Sequence, residues 1–221
     1  MSIKEKLLAL TFDDAPTDTS EVLLNGLKRR GARATFFVIG NRIAGNEAVI
    51  RRMAEEGHTI GNHTFNHIPL YHDGLVPLEE VNRCTDCIKC VAGYTPSLLR
   101  VPGLIYKTPS NTNYGDNGLY NPKKLSLDCN LALIDCSFGT GDTTTDNEDV
   151  VYNTIKSKAK SGDIVLLHDR LSSINAAFRL IDSLQAEGYR FVTVPELITA
   201  MDKQIKPGMV YKSASKILED F

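Results

Sequence analysis

Short runs of apolar residues alternate with longer amphipathic segments along most of the chain. The runs read LLALTF, ATFFVI, HTIGNH, SLLRV, LALIDC, DIVLLH and RFVTV, and their length and their branched and aromatic side chains predict β-strands. Between them, segments such as SEVLLNGLKRRG, NEAVIRRMAEEG and INAAFRLIDSLQAEG have apolar residues at helical spacing. Each of these segments ends in glycine, the residue that most readily forms the left-handed cap of a helix.

This alternation of strands and helices predicts a parallel sheet with crossover helices. About seven such units in 221 residues predict an α/β fold, either a small or incomplete (β/α) barrel or an open doubly wound sheet. No linker-like composition divides the chain, so residues 1–221 are expected to form one domain. Residues 201–221 are expected to form a C-terminal tail or an extra helix packed outside the barrel.

Composition and charge narrow the range of partners. Hydrophobic residues make up 42% of the chain and charged residues 24%, as in an ordinary globular protein. The formal net charge of −2 gives no electrostatic reason to expect nucleic acid or an anionic membrane. No apolar run approaches the roughly 20 residues of a membrane-spanning helix. The first residues, MSIKEKLLALTF, show no small-residue cleavage site of a signal peptide. The oligomeric state stays open.

The five cysteines raise the question of a zinc or iron–sulfur site, because three of them lie in the run CTDCIKC. This run has apolar or cysteine residues at helical spacing, and no fourth ligand lies nearby in sequence. The pattern therefore favours packing thiols or disulfide partners over a metal cluster. The pairing stays open among Cys84, Cys87, Cys90, Cys129 and Cys136.

Polar residues stand where several predicted strands end. In both candidate architectures, functional side chains gather at the carboxyl ends of the strands. Residues from distant parts of the chain are therefore expected to meet at one mouth of the sheet. They are Asp13, Asp14, His63, Arg100, Asp135, His168 and Asp169.

Two segments at these strand ends suggest a metal site. GNHTFNH has His63 and His67 four residues apart, and on a helical turn this spacing puts both imidazoles on one face. Two histidines and one carboxylate from FDD are the ligands of an open catalytic zinc site, which lowers the pKa of bound water to about 7. The other carboxylate can act as general base and His168 as general acid, which predicts metal-assisted hydrolysis of an amide or ester. His58 and His72 are expected to be structural.

Four segments resemble those of the polysaccharide deacetylase family, the NodB-homology domain of carbohydrate esterase family four. They are LTFDDAP, the run from ATFFVIGNRIA to EEGHTIGNHTFNH, GYTPSLLRVPG and IVLLHD, and they cover roughly residues 6–197. The resemblance implies a distorted (β/α) barrel with about seven parallel strands. It also implies removal of acetyl groups from N-acetylglucosamine units of chitin or peptidoglycan, by a secreted or cell-wall-associated protein.

The resemblance further implies residue roles. Asp13 would be the catalytic base, oriented by Arg100, and His168 would be the general acid. Leu166 would line the pocket for the acetyl methyl group, and the backbone N–H of Gly103 would help to stabilise the oxyanion. One divalent metal ion, usually Zn²⁺ and sometimes Co²⁺, would be bound by Asp14, His63 and His67.

The second half of the chain departs from the family pattern. RVPGL has glycine where an aromatic residue is common, and the chain has no tryptophan to follow the aspartate that normally tethers the catalytic histidine. Alignment of LIDCSFGTGDT puts Phe138 and Gly139 at these two positions, so Phe138 is expected beside the substrate. Phenylalanine cannot accept the ring proton of His168. Unless Asp135 or Asp142 reaches that ring, slow turnover is expected.

Three functions are therefore considered. The first is a metal-dependent deacetylase of an N-acetylated polysaccharide. The second is a catalytically weakened glycan- or wall-binding homologue, which the altered motifs favour. The third is a small-amide hydrolase of the same fold, which a groove poor in aromatic residues favours. The polar stretch LIYKTPSNTNYGDNGLYNPKK is either a substrate-binding loop or an insertion.

Overall fold

The computed structural model describes residues 5–69, 77–104 and 122–219, and in these ranges the chain forms one curved sheet with helices around it. His72 and most of the long polar stretch lie outside these ranges. Each of the seven apolar runs contributes a strand, and two more strands follow. The strands are β1 (Lys6–Ala15), β2 (Thr35–Val38), β3 (Thr59–Asn62), β4 (Leu98–Leu99), β5 (Ala132–Ile134), β6 (Ile164–His168), β7 (Tyr189–Phe191), β8 (Val210–Tyr211) and β9 (Ile217–Leu218).

Helices connect most of the strands. The connection between β2 and β3 also contains a short 3₁₀ helix, Gly40–Arg42. The α-helices are α1 (Ser20–Arg29), α2 (Glu47–Glu55), α3 (Pro77–Ala92), α4 (Pro122–Cys129), α5 (Glu148–Lys158), α6 (Leu171–Gln185) and α7 (Val194–Thr199).

The sheet is curled, so that its two ends approach each other. The strand order is β6-β1-β2-β3-β4-β5-β8-β9, with β7 paired to the start of β1. Of the strand pairs in the described ranges, β8–β9 is antiparallel and the others are parallel. Isolated bridges Phe138–Val165 and Asp163–Ser213 connect the region of β5 and β8 to β6. The predicted distorted (β/α) barrel is confirmed by this topology.

The alternation of side chains along β1 explains how the barrel presents polar groups. Leu8, Leu10 and Phe12 join the large apolar cluster that includes residues of the surrounding helices. The intervening residues point to the other face, because successive side chains of a strand alternate. Thr11 and Asp13 therefore face the barrel interior at the carboxyl end of the strand.

The C-terminal segment differs from the expected tail or extra helix. Residues 201–219 contain no helix, and Val210–Tyr211 pair in parallel with β5 as part of the sheet. Tyr211 is 1% exposed and belongs to a second apolar cluster, which includes Ile134 and Leu197. A strand of two residues is too short to show a recognisable hydrophobic period, so the sequence pattern did not indicate it.

The cysteines serve as separate thiols. No disulfide joins any of the five. Cys84 is buried on α3, where its Sγ donates a hydrogen bond to the carbonyl of Val38 at 3.3 Å, whereas Cys90 is exposed. Among the described residues, no cysteine belongs to a group that could hold a metal ion. Within the same ranges, no helix is both long and apolar enough to cross a membrane.

Candidate active site

Two adjacent aspartates lie just before the end of β1, and each has a different compensating neighbour. Asp13 is 3% exposed, and its Oδ1 accepts a hydrogen bond from Nη1 of Arg100 at 2.7 Å. Asp14 has a φ of +67°, a left-handed conformation that is uncommon outside glycine. Its carboxylate meets the histidines that follow β3. The two like charges are therefore compensated separately.

Arg100 is fully buried, and each of its guanidinium nitrogens donates a hydrogen bond. Besides Asp13, Nη1 meets Oγ1 of Thr11 at 2.7 Å. Nη2 donates to the carbonyl of Asp135 at 2.9 Å, and Nε donates to the carbonyl of Ile134 at 3.2 Å. A guanidinium held by four acceptors has one orientation, so it fixes the carboxylate that it binds.

Three side chains converge as a possible metal site. Oδ1 of Asp14 lies 3.5 Å from Nε2 of His63 and 3.2 Å from Nε2 of His67, and the three groups lie within 4.8 Å of one another. The expected helical turn is wrong, because residues 63–67 form a loop in which Thr64 and His67 have φ values of +64° and +58°. This loop brings the two imidazole centroids to 5.0 Å.

The protonation pattern of this group suits a divalent cation. Nδ1 of His63 lies 2.6 Å from the carbonyl oxygen of Arg100, which can only accept, so Nδ1 carries the proton and Nε2 of the neutral ring has a lone pair. That lone pair faces Oδ1 of Asp14, a buried oxygen without a hydrogen-bond donor. Lone pairs that face one another without a shared proton are the arrangement that a metal ion satisfies.

His168 ends β6 and is the register partner of Asp13 in β1. Its Nδ1 lies 3.0 Å from Oδ1 of Asp142, and its main-chain N–H donates to Oδ2 of the same carboxylate at 2.7 Å. Burial alone would lower the pKa of His168, but the carboxylate of Asp142 raises it above its usual value. Asp142 accepts a hydrogen bond from the hydroxyl of Ser173 at 2.7 Å, and Oγ1 of Thr140, which shares its one proton with the carbonyl of Leu166, lies 3.1 Å from the same carboxylate.

Of the two carboxylates that the sequence leaves open as the tether of His168, Asp142 makes the contact, four residues after Phe138. The ring of Phe138 packs against the large apolar cluster that contains Leu8, Leu10 and Phe12, and Nζ of Lys158 lies 5.8 Å from its centroid. The structure does not bring this ring to the site residues. Asp135 is fully buried and directs Oδ2 toward Nζ of Lys212, at 3.5 Å, so it is not the tether.

A small apolar cluster lies next to these polar groups. Leu166 precedes His168 by two residues and shares its face of β6. It packs with Leu104 and Cys136, apart from the main core. Gly103 is exposed in the turn after β4 with a φ of +80°, which residues with side chains rarely adopt. Binding of an acetyl group by Leu166 and Gly103 stays a prediction.

The sequence analysis did not identify several residues that support the site. Thr11 could have been identified, because it lies two residues before Asp13 and therefore shares its face of the strand. Thr140 and Ser173 could not have been, since the loop and helix that carry them meet only in the folded chain. His58, expected to be structural, accepts a main-chain N–H just before β2 at 3.1 Å, and burial lowers its pKa to about 4.

Proteins named as deacetylases align with most of this chain. The family model described as polysaccharide deacetylase matches residues 2–121. A peptidoglycan-N-acetylglucosamine deacetylase of Bacillus cereus is 34% identical over 206 residues, which cover 88% of this chain and 89% of the relative. A chitin deacetylase of Colletotrichum lindemuthianum is 31% identical over 201 residues, which cover 87% and 79% of the two chains.

Solved structures share the fold. One described as T48 deacetylase with substrate has a TM-score of 0.80 and 31% identity, and the match covers 94% of this chain and 97% of the other. A family 4 acetyl xylan esterase from Clostridium thermocellum, in complex with a cobalt ion, has a TM-score of 0.79 and 27% identity, with 96% and 100% covered. From the family match and these relatives, the chain belongs to the polysaccharide deacetylase family.

Proposed function

We propose that this protein is a metal-dependent hydrolase that removes N-acetyl groups from N-acetylglucosamine units of chitin or a related polysaccharide. The observation that carries this proposal is the convergence of Asp14, His63 and His67 on one point. Beside it lie an independently compensated Asp13 and a His168 whose ring is bound to a carboxylate. These groups supply the ligands, the base and the acid that metal-assisted amide hydrolysis requires.

Asp13 is the proposed base. Its Oδ1 is engaged by Arg100, which leaves Oδ2 to take a proton from the attacking water. Oδ2 lies 3.9 Å from Nε2 of His63, so it is adjacent to the proposed metal ligands. When bound, Zn²⁺ or Co²⁺ would supply a Lewis acid that activates water and polarises the amide carbonyl.

His168 is the proposed acid. Because Asp142 holds Nδ1, Nε2 is the atom that can give a proton to the leaving amine as the C–N bond breaks. The raised pKa of His168 keeps its ring protonated to higher pH than an ordinary histidine, as a general acid requires. Leu166 would contact the acetyl methyl group, and the N–H of Gly103 would stabilise the oxyanion. The products are acetate and a free amino sugar.

The polymer is proposed from the relatives. Several of them are named for N-acetylglucosamine in peptidoglycan, and another is named for chitin. A bifunctional xylanase/deacetylase of Pseudobutyrivibrio xylanivorans is 30% identical, although the match covers only 33% of that protein. N-acetylglucosamine is the unit common to the first two polymers, and we propose it as the substrate unit. Both polymers lie outside the cytoplasm, so we propose that the protein acts in a cell wall or after secretion.

Acetate release tests the proposal directly. The protein is stripped of metal by a chelator, reloaded with Zn²⁺ or Co²⁺, and incubated with chito-oligosaccharides, peptidoglycan fragments or acetylated xylan. Acetate from either N-acetylglucosamine substrate, only after reloading, is the expected result. A metal-loaded protein that releases none from any substrate but retains glycan binding would support the weakened-homologue alternative. Hydrolysis restricted to a small acetamide would support the small-amide alternative.

A further inference from the structure

The loop that carries the two histidine ligands is strained and unevenly anchored. Thr64 and His67 have φ values of +64° and +58°, which cost energy for residues with side chains. The ring of His63 is anchored through Nδ1 to the carbonyl of Arg100 at 2.6 Å. Among the described residues, the only polar contact of the His67 ring is with Asp14. The orientation of His67 therefore depends on how the loop backbone is held.

Helix α3 holds the residues just before His67. Glu80, in its first turn, is 9% exposed and accepts two hydrogen bonds from Asn66. The main-chain N–H of Asn66 meets Oε2 at 2.7 Å, and its side-chain amide meets Oε1 at 2.7 Å. One turn further along, Cζ of Arg83 lies 3.7 Å from the ring centroid of Phe65. Two consecutive loop residues thus contact consecutive turns of one helix.

The segment after β2 supports the loop from its other side. The N–H of Gly40 donates to the carbonyl of Thr64 at 3.0 Å, and the N–H of Asn41 donates to the carbonyl of Phe65 at 2.9 Å. The side-chain amide of Asn41 also donates to Oδ1 of Asn66 at 3.1 Å. The two main-chain contacts use carbonyl acceptors of the loop, whereas the Glu80 carboxylate binds the two donors of Asn66. Hydrogen bonds to a carboxylate are stronger than those between neutral groups.

We infer that Glu80 is a positioning residue for the metal site. Through Asn66 it fixes the backbone at His67, and so directs Nε2 of that ring toward Asp14. The inference rests on the proposed function, since the ion concerned is the one proposed there. Glu80 contacts none of the three ligands and acts through the backbone of the loop. The property that its replacement should change is the affinity of the site for metal. Removal of partners that hydrogen-bond the ligands themselves typically weakens metal binding about 10- to 100-fold, and because Glu80 acts through a neighbouring residue we expect the lower end of that range.

The variant Glu80→Gln tests this inference. Glutamine keeps the shape but offers one acceptor oxygen in place of two, so one donor of Asn66 loses its partner. We expect the zinc affinity of the metal-stripped protein, measured by competition with a chromophoric chelator, to fall about 10-fold. Glu79→Gln is the matched control, because it removes the same charge from an exposed residue of the same helical turn. Unchanged affinity in folded Glu80→Gln, or equal losses in both variants, would overturn the inference.

A rescue variant separates positioning from general packing. In Glu80→Gln/Asn66→Asp, the new amide can donate to the new carboxylate while its oxygen accepts the main-chain N–H at residue 66, and the net charge is unchanged. We expect most of the zinc affinity to return, and a loss that persists would overturn the inference. If circular dichroism shows that the single variant does not fold, Asn66→Ala tests the same contact from the loop, with the same loss expected. Wild-type protein that binds no zinc would count against the proposed function. Normal zinc binding in both Glu80→Gln and Asn66→Ala would count against the role of Glu80 alone.

Discussion

The carboxylate of Asp142 binds His168 twice, through the ring Nδ1 at 3.0 Å and through the main-chain N–H at 2.7 Å. The ring is thereby held in one tautomer and one orientation, with Nε2 directed away from the carboxylate. Slow turnover was expected only for a His168 without such a partner. The premise of that expectation is wrong, and the altered spacing around Phe138 no longer favours a weakened homologue.

Replacement of this carboxylate should change both the rate and its pH dependence. In Asp142→Asn, the charge that raises the pKa of His168 is lost, so the imidazolium deprotonates at lower pH. Because a general acid must be protonated, the alkaline limb of kcat/KM should move to lower pH. Turnover should fall by about 10²-fold or more, within the range of general acid–base contributions. Asp146→Asn, an exposed change in the same connection, should leave the profile unmoved, and an unmoved profile in Asp142→Asn would exclude the tether.

Asp13 should be needed for hydrolysis and dispensable for metal binding. In Asp13→Asn, the amide oxygen still accepts from Arg100, so the local geometry survives, but the side chain no longer takes a proton. We expect acetate release to fall about 10²- to 10⁴-fold while zinc content stays at the wild-type level. Asp18→Asn, in the exposed turn that follows, is the control and should behave as wild type. Near-normal turnover in Asp13→Asn would remove this residue from the mechanism.

The two histidines should both be required for metal, with different effects on stability. His63→Ala removes a ligand and also leaves the carbonyl of Arg100 without its donor, in a buried position. His67→Ala removes a ligand whose side chain is 45% exposed. Mass spectrometry should find less bound metal in both variants, while chemical denaturation of the metal-free proteins should show a loss of about 1–3 kcal/mol for His63→Ala only. Full metal content in either variant would contradict the ligand assignment.

The parts of the site at strand ends were predictable, and the parts in loops were not. Asp13 and His168 follow visible apolar runs, and parallel pairing necessarily brings such ends together. The tether was ambiguous because its distance from β5 along the chain is set by contacts between remote segments. The bridge of Phe138 to Val165 and the bond from Thr140 to the carbonyl of Leu166 define that path. Sequence spacing contains no signal for either contact.

The same reasoning explains the histidine pair. A separation of four residues was interpreted as a helical turn, and it proved to be a loop with left-handed residues at Thr64 and His67. The predicted convergence of Asp14, His63 and His67 is found, but the predicted local structure, a helical turn, is wrong. Single left-handed residues other than glycine are not visible in a sequence, because such conformations persist only where the surrounding structure holds them.

Arg100 should stabilise the fold as well as orient Asp13 in the site. Its guanidinium is fully buried and donates to four acceptors, one of which is the carboxylate of Asp13. Arg100→Met would keep much of the volume but leave that carboxylate buried without a cationic partner, and breaking a buried pair in this way typically costs about 3–5 kcal/mol. Urea denaturation of the metal-free protein should show this loss, whereas Arg51→Met on the exposed face of α2 should change stability by about 0.5 kcal/mol or less. Equal stability of the two variants would mean that Asp13 does not depend on Arg100 for its compensation.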